Sequence, residues 1–269
     1  MDYHVHTSLC RHAHGEIRQY IEQAINSGLT EICFTDHIPL PADFDLAHRM
    51  SLQQMDQYTG EIARMQAAYP ELAILTGIEA DYYRGFEKYL EKFLNDFEFD
   101  LVIMSVHFLK QWTAGNWVFN YHFPDKTDAE IYGEYLAEIT RGIKTGLFDV
   151  IGHIDIIKKR GHSLLRMVPD QVDEVLRLIR KYDMAVEINS SGLRREVQEC
   201  YPGYDWLPEL QRLDLAVTLG SDAHAPEQVG SGFREINTQL QKYNLNRIAV
   251  FRRRKIVSYH RPGRAGQPA

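Results

Sequence analysis

The chain has 269 residues, of which 44% are hydrophobic and 25% are charged, and its formal net charge is −7. This composition is typical of a globular protein with a substantial core, and the negative charge argues mildly against a nucleic-acid-binding surface. No apolar run reaches the roughly eighteen residues that a membrane-spanning helix needs, and the polar start has no signal-peptide pattern, so we expect no membrane association.

The three cysteines are Cys10, Cys33 and Cys200. They are scattered, odd in number and without a CxxC pair, which argues against a disulfide framework or a zinc knuckle. A reducing cytoplasm fits this pattern best.

Seven short apolar segments alternate with segments of helical period. The predicted strands are Asp2–His6, Glu31–Thr35, Ala73–Glu79, Asp100–Val106, Phe148–Gly152, Ala185–Asn189 and Leu215–Gly220. Several are rich in Val, Ile and Leu without alternation, as expected of strands buried on both faces. The predicted helices are Glu16–Ser27, Leu52–Tyr69, Phe86–Phe97, Asp128–Thr145, Pro169–Tyr182, Trp206–Leu213 and Phe233–Tyr243.

Seven strand–helix units in strict alternation predict an α/β fold of parallel strands with right-handed crossovers. A closed or nearly closed barrel is the expected architecture at this length. We predict a single domain over residues 1–260 and a disordered tail over residues 261–269. Ile38–Ser51 and Leu109–Lys126 are predicted long loops, and such loops often carry function.

Six of the seven predicted strands end in residues able to bind a metal. Parallel barrel strands deliver their C-terminal ends to one face, so these residues are expected to converge there. The candidates are His4 and His6 on the first strand, His37 after the second, Glu79 on the third, His107 after the fourth, His153 after the fifth, and Asp222 and His224 after the seventh.

The first strand is followed by two further histidines. His4 and His6 are two residues apart on a strand and therefore point to the same side, where two imidazoles can reach one ion. His12 lies beyond the strand and could reach a neighbouring ion. His14 is interpreted as a loop residue near the mouth of the barrel that contacts substrate.

Each motif alone has an ordinary explanation. A histidine after a strand is more often a hydrogen-bonded structural residue, an isolated HxH has roughly one chance in four of marking a metal site, and Glu79 alone could be a capping or salt-bridged carboxylate. Six such motifs after successive strands are not expected by chance, so the joint pattern predicts a metal centre.

Nine ligands, namely seven histidines and two carboxylates, are too many for one ion. With about three protein ligands per catalytic ion, we predict three divalent transition-metal ions, which these donors suggest to be zinc, iron or manganese. Glu79 can bridge two of them. Such a cluster keeps a net positive charge after its two carboxylates, which favours an anionic substrate such as a phosphate monoester.

Basic and aromatic residues near the same face each have two interpretations. For any one basic residue, phosphate binding and a solvated rim are about equally expected, and the run Arg252–Lys255 is interpreted as solvated surface or a strand face. For the aromatic residues, core packing is the default and a wall that stacks on a ring-bearing substrate is the alternative. The residues concerned are Lys158, Lys159, Arg160, Arg194 and Arg195, and Tyr82, Tyr83, Trp112, Trp117, Tyr121 and Phe123.

The ordered motifs HxHTxxCxHA, TDH, GxEAD, SxH, GHxD and SDAH resemble those of the polymerase-and-histidinol-phosphatase (PHP) superfamily. The segments GHIDIIKKRG and EINSSGLR are similar to its short histidinol-phosphate phosphatases. The resemblance covers about Asp2 to Tyr259 and implies a distorted (β/α)7 TIM-like barrel with a trinuclear site. It assigns His4, His6, Glu79 and Asp222 to the first ion, Glu79, His107 and His153 to the second, and His12, His37 and His224 to the third.

The resemblance also implies a reaction, the hydrolysis of L-histidinol phosphate to L-histidinol and phosphate in histidine biosynthesis. A hydroxide bridging the first two ions would attack phosphorus. Arg160 and Arg194 match phosphate-binding arginines, with Arg195 an adjacent competitor. Asp222 or His224 could relay a proton, and the general acid stays open. By loop placement, the candidates to bind the ammonium and imidazole of the leaving group are Glu16, Asp43, Asp45 and Asp155.

Two alternatives stay open beside this reaction. One is a phosphoesterase of the same fold that acts on a nucleotide or another small phosphate; nucleic acid is disfavoured because no strong basic stripe is present. The other is a non-catalytic, metal-binding regulatory domain, against which the complete ligand set argues. The sequence leaves the oligomeric state open.

Overall fold

One sheet of nine strands forms the centre of the structure, a computed structural model that describes residues 1–109, 117–120 and 125–262. The strands follow chain order across the sheet; β1 to β8 pair in parallel, and β9 pairs antiparallel to β8. They are β1 Asp2–Val5, β2 Glu31–Phe34, β3 Ala73–Asp81, β4 Leu101–Ser105, β5 Val150–Ile151, β6 Ala185–Asn189, β7 Val217–Gly220, β8 Ile248–Arg252 and β9 Lys255–His260.

The C-terminal end of β7 returns to β1. Val5 and Ala223 form a parallel bridge, and the Ala223 carbonyl accepts a hydrogen bond from the His6 amide at 3.0 Å. The first seven strands therefore form the predicted α/β architecture, a distorted TIM-like (β/α)7 barrel. Every residue of β1, β2, β4, β5, β6 and β7 is buried, which confirms that these apolar strands are covered on both faces.

Helices cover the outside of the barrel. Their bounds are α1 Ile17–Asn26, α2 Met55–Ala68, α3 Glu87–Asp96, α4 Asp128–Thr145, α5 Leu164–Met167, α6 Pro169–Lys181, α7 Leu207–Arg212 and α8 Phe233–Lys242. In α6, Pro169 occupies the first turn, and the buried positions Val172, Val175, Leu176 and Ile179 recur at helical spacing. No helix among the described residues has both the length and the apolar composition needed to cross a membrane.

The C-terminal hairpin of β8 and β9 was not predicted. It lies at the end of the barrel opposite the strand C-termini, where Arg252 donates to Glu31 at 3.0 Å and Arg254 to Asp149 at 3.0 Å. Glu31 begins β2 and Asp149 precedes β5. The basic run, which the sequence suggested to be solvated surface or a strand face, therefore belongs to the two strands and the turn that close the N-terminal end of the barrel. Residues 263–269 of the predicted tail lie outside the described residues.

Candidate metal centre

The predicted metal ligands meet at the C-terminal ends of the barrel strands. His4 and Glu79 lie on strands, and the others follow strand ends directly or within a few residues. The described donors are mostly inaccessible to solvent: His4, His6, His37, Glu79, His107 and His153 are buried, Asp222 and His224 are half-buried, and His12 is exposed. Residues separated by more than two hundred positions therefore share one site, as barrel topology requires.

The Glu79 carboxylate lies at the centre of this cluster. Its Oε2 is 2.7 Å from His37 Nδ1, and its Oε1 is 3.0 Å from His153 Nε2 and 3.6 Å from His107 Nε2. His4 Nε2 and His6 Nε2 lie 3.5 and 3.6 Å from Oε2. One carboxylate thus contacts imidazoles on both of its oxygens, the geometry expected of a bridging ligand.

Two pairs of imidazole nitrogens face each other at hydrogen-bonding distance. His4 Nε2 lies 3.1 Å from His6 Nε2, while the Nδ1 atoms of these rings face the carboxylates of Glu187 at 2.6 Å and Asp36 at 3.4 Å. A ring that donates from Nδ1 to a carboxylate presents a lone pair at Nε2 in its neutral form. Two lone pairs that face each other repel unless a cation lies between them.

His12 and His224 repeat this arrangement. Their Nε2 atoms are 2.9 Å apart, while Nδ1 of each ring faces a backbone carbonyl, that of Cys10 at 2.8 Å and that of Asp222 at 3.0 Å. Donor atoms of His12, His37 and His224 all lie within 4.8 Å of one another, and so do those of His4, His6 and Asp222. Both sets fit a divalent ion.

Several buried polar atoms of the cluster make no hydrogen bond of normal geometry among the described residues, although His37 Nδ1 and Glu79 Oε2 lie 2.7 Å apart. They are Glu79 Oε2, His37 Nδ1 and His153 Nδ1. Unsatisfied buried polar atoms are rare in folded proteins and are typical of ion-binding or catalytic sites. Together with the closely spaced donor atoms, they indicate that the residues present fit metal ions.

The ionisation states of Glu79, Asp222 and His37 also suit metal binding. At His4 and His6, burial opposes protonation, but the surrounding carboxylates raise the pKa of both rings, so a metal ion bound there would displace protons. Burial alone would raise the pKa of Glu79, but the histidines around it, His37 and His4 foremost, hold that pKa well below its usual value. Burial likewise opposes ionisation of Asp222, yet His4 and His6 lower its pKa strongly. Burial lowers the pKa of His37 to about 4. Ionised carboxylates and a neutral imidazole are the forms that coordinate metals.

Three carboxylates that are not among the nine predicted ligands support these ligands from behind. Glu187 on β6 contacts His4 and accepts from the His153 amide at 2.8 Å, and Asp36 contacts His6. Asp81 at the end of β3 lies 2.7 Å from His107 Nδ1. Such carboxylate–histidine contacts fix ring orientation and raise ligand basicity. Asp36 and Asp81 lie within the TDH and EAD motifs, and this position beside predicted ligands was the sequence signal that could have identified them.

A cavity of about 280 Å³ opens above the cluster. Apart from predicted ligands, it is lined by His48, Trp117, Phe119, Asn120, Ile156, Lys159 and Arg195. Lys159 and Arg195 also line an adjoining cavity of about 550 Å³. Lys159 and Arg195 are therefore the basic residues that line the cavity above the metal ligands.

The two arginines predicted to bind phosphate are not lining residues of this cavity, and their role stays a prediction. Arg160 Nη2 is 3.5 Å from Asp128 Oδ1, and Arg194 Nη2 donates to the Ser221 carbonyl at 2.7 Å. Arg194 braces the loop that carries Asp222.

Among the other candidates, the structure brings only some to the cavity. Trp117 lines it, whereas His14 and Glu16 are exposed and Asp155 is buried, and none of these three is a lining residue. Asp45 is buried directly behind His48. Tyr82 is buried in the core and Tyr83 packs on Phe44, as the default interpretation held. Trp112, Tyr121, Phe123 and the side chain of Asp43 lie outside the described part of the chain.

The barrel and the imidazole–carboxylate cluster at its mouth define a metal-dependent enzyme of the PHP type. The chain belongs to the PHP family, because the model of the PHP domain matches residues 2–191 and that of the PHP-associated segment matches residues 209–243. The resemblance inferred from the motifs is thereby confirmed.

Individual relatives cover nearly the whole chain. A probable histidinol-phosphatase of Deinococcus radiodurans is 37% identical over 95% of this chain and 97% of its own length. The histidinol-phosphatase of Bacillus subtilis is 30% identical over 86% of this chain and 96% of its own length. The crystal structure of histidinol phosphate phosphatase from Lactococcus lactis, complexed with zinc, L-histidinol and phosphate, superposes with a TM-score of 0.83 at 26% identity, covering 95% of this chain and 97% of that one.

Proposed function

We propose that this chain hydrolyses L-histidinol phosphate to L-histidinol and inorganic phosphate, in a metal-dependent reaction of histidine biosynthesis. The observation that carries the proposal is the convergence of imidazole and carboxylate donors at the barrel mouth, where the Nε2 atoms of His4 and His6 lie 3.1 Å apart and those of His12 and His224 lie 2.9 Å apart. The Lactococcus relative holds zinc, L-histidinol and phosphate, which supports the substrate. A cytoplasmic location fits three buried cysteines without disulfides.

We assign three ions to the nine ligands. His4, His6, Glu79 and Asp222 would hold the first, Glu79, His107 and His153 the second, and His12, His37 and His224 the third. The grouping of donor atoms around Asp222 and around His224 supports the first and third assignments. Zinc, iron and manganese all suit these donors. When bound, such ions would polarise the phosphoryl oxygens and lower the pKa of a water molecule.

The residues of the chain have separate roles in this reaction. Lys159 and Arg195 would bind the phosphate oxygens and stabilise their charge in the transition state. We propose them beside Arg160 and Arg194, which the resemblance assigns to phosphate, because the side chains of Lys159 and Arg195 line the cavity. Asp222 and His224 also line it and could pass a proton to the leaving alkoxide.

Phosphate release and elemental analysis test this function together. Purified protein would be assayed with L-histidinol phosphate, a nucleoside monophosphate and p-nitrophenyl phosphate, and its metal content measured in parallel. We expect the highest kcat/KM for L-histidinol phosphate. Glu79→Gln should lose metal and about a thousandfold or more of activity, whereas Glu71→Gln, an exposed carboxylate before β3, should change neither.

Each alternative predicts a different result. A preference for the nucleotide would replace the proposed substrate with a nucleotide. Absence of turnover in metal-replete protein would favour a regulatory domain. Full activity in Glu79→Gln would contradict the bridging role of this carboxylate.

A further inference from the structure

One end of the cavity is formed by an imidazole that is not among the predicted ligands. His48 lies in the turn Leu46–His48 between β2 and α2, and its side chain is 36% exposed. Its ring packs edge-on against Trp117, with centroids 5.3 Å apart at 90°. Both residues line the cavity above the metal centre.

The two nitrogens of His48 have different environments. Nδ1 lies 3.0 Å from Oδ1 of the buried Asp45, whose Oδ2 also accepts from Arg49 at 3.3 Å. Nε2 has no hydrogen-bond partner among the described residues. A neutral ring that donates from Nδ1 accepts a hydrogen bond at Nε2. Asp45 thus orients the imidazole so that an acceptor is available to a ligand.

An aromatic wall connects His48 to the basic end of the cavity. Trp117 packs against Phe119 with centroids 5.7 Å apart, and Lys159 Nζ lies 4.0 Å from the Phe119 ring centroid. Cationic groups therefore lie at one end of the wall, and an imidazole acceptor with the Trp117 ring lies at the other. A substrate with an anionic phosphate and a cationic leaving group is complementary to this polarity.

We propose that His48 and Trp117 form the leaving-group subsite, in which His48 Nε2 accepts a hydrogen bond from a nitrogen of the substrate and the Trp117 ring covers its ammonium or imidazole. This inference rests on the proposed function and deepens it. The subsite selects among phosphate monoesters and leaves metal binding and phosphate binding to other residues.

Paired substrates test the subsite. The kcat/KM values for L-histidinol phosphate and for p-nitrophenyl phosphate, which has no amine or imidazole, would be compared in wild type, His48→Phe and His48→Gln. His48→Phe keeps a ring but removes the acceptor, and we expect it to lower kcat/KM for L-histidinol phosphate about tenfold or more. Turnover of p-nitrophenyl phosphate and metal content should stay near wild type. His48→Gln restores a polar group near Nε2 and should recover part of the loss.

The control is His162→Phe, which alters an exposed histidine paired with Asp128 and should affect neither substrate. Three results in His48→Phe would overturn the subsite: equal losses of kcat/KM on both substrates, loss of metal, or no loss of kcat/KM for L-histidinol phosphate. In each case the activity of the wild type on L-histidinol phosphate would still uphold the proposed function. A wild type that hydrolyses p-nitrophenyl phosphate but not L-histidinol phosphate would overturn the proposed function, and the subsite with it.

Discussion

Several ligand histidines are oriented by a carboxylate or a backbone carbonyl that sequence spacing does not pair with them. His4 was predicted because it ends a strand in an HxH motif, and the structure brings it to the cluster. Its partner Glu187, 183 positions later, lies within hydrogen-bonding distance at 2.6 Å. No spacing rule links these two residues, because their contact exists only once β1 and β6 are neighbours across the barrel. Ligands at strand ends were therefore predictable, whereas the motifs contained Asp36, Asp81 and Glu187 without indicating which histidine each one orients.

Adjacent basic residues show a second limit of sequence reasoning. Lys159 and Arg160 share the short 3₁₀ segment Ile156–Arg160, yet Lys159 extends over Phe119 and Arg160 reaches Asp128. In a 3₁₀ helix, successive side chains point in directions about a third of a turn apart. The KKR motif predicted that a cation follows β5, but only the placement of this segment decides which one faces the cavity.

The pH dependence of phosphate binding tests Lys159 directly. Lys159 is exposed at the mouth, yet partial desolvation lowers its pKa to about 8. A lysine is charged below its pKa, so phosphate affinity should weaken as pH rises through about 8. Lys159→Arg stays charged and should hold its affinity there, giving about tenfold tighter inhibition by inorganic phosphate than wild type near pH 9.5.

The comparison of wild type with Lys159→Arg controls for other titrations, because the phosphate and the metal centre change their protonation with pH in the same way in both proteins. Arg160→Ala is the matched variant at the next position and should shift the inhibition constant less than Lys159→Met does. Parallel pH profiles for wild type and Lys159→Arg would show that Lys159 does not bind phosphate.

At the scale of elements, two loops at the barrel mouth are joined by a buried cation. Lys158 Nζ lies 3.1 Å from Asp155 Oδ2 and 2.8 Å from Glu199 Oε2. Asp155 Oδ2 also accepts from the Gly203 amide at 3.0 Å. The loop after β5 and the loop after β6 are thus held together, and these loops carry Lys159 and Arg195. The strands and most helices were predicted from hydrophobic pattern, but this contact between loops carries no periodic signal.

Removal of the Lys158 charge should loosen the phosphate subsite. In Lys158→Met the buried carboxylate of Asp155 loses its cation, and its pKa, already raised to about 6 by burial, should rise further. We expect a stability loss of about 3 kcal/mol and a several-fold increase in KM, with unchanged metal content. Thermal melts, steady-state kinetics and elemental analysis measure the three quantities.

The double variant Asp155→Asn/Lys158→Met separates the effect of an unpaired buried charge on Asp155 from the effect of losing the contacts of the Lys158 side chain. It removes both buried charges, so most of the lost stability should return. If KM stays high while stability recovers, Lys158 positions the loops through its own contacts. An unchanged KM in the single variant would instead limit Lys158 to a structural role.

At the scale of the whole molecule, the barrel carries its chemistry at one end and a structural closure at the other. The metal ligands and the cavity lie at the C-terminal ends of the strands, and the β8–β9 hairpin lies at the opposite end. The barrel was predictable because seven buried strands alternate with helices. The hairpin was not, because charged residues surround its turn. Arg253 and Arg254 have positive φ values of 48° and 65° and make that turn themselves.

The hairpin should contribute to stability and leave catalysis unaffected. Arg254 donates to both Asp149 oxygens and to the Leu147 carbonyl, and Asp149 is almost fully buried. Arg254→Met leaves that carboxylate without its cation, at a cost of about 1–3 kcal/mol. At about 2–4 °C per kcal/mol for a chain of this size, the melting temperature should fall by several degrees, while kcat/KM and metal content measured at 25 °C stay near wild type. Lys255→Met, an exposed neighbour on β9, is the control and should shift the melting temperature by about 1 °C or less.

In a double-mutant cycle, Asp149→Asn should reduce the effect of Arg254→Met, because the buried charge that the arginine compensates is then absent. Loss of metal in Arg254→Met would show that the two ends of the barrel are coupled, contrary to this division.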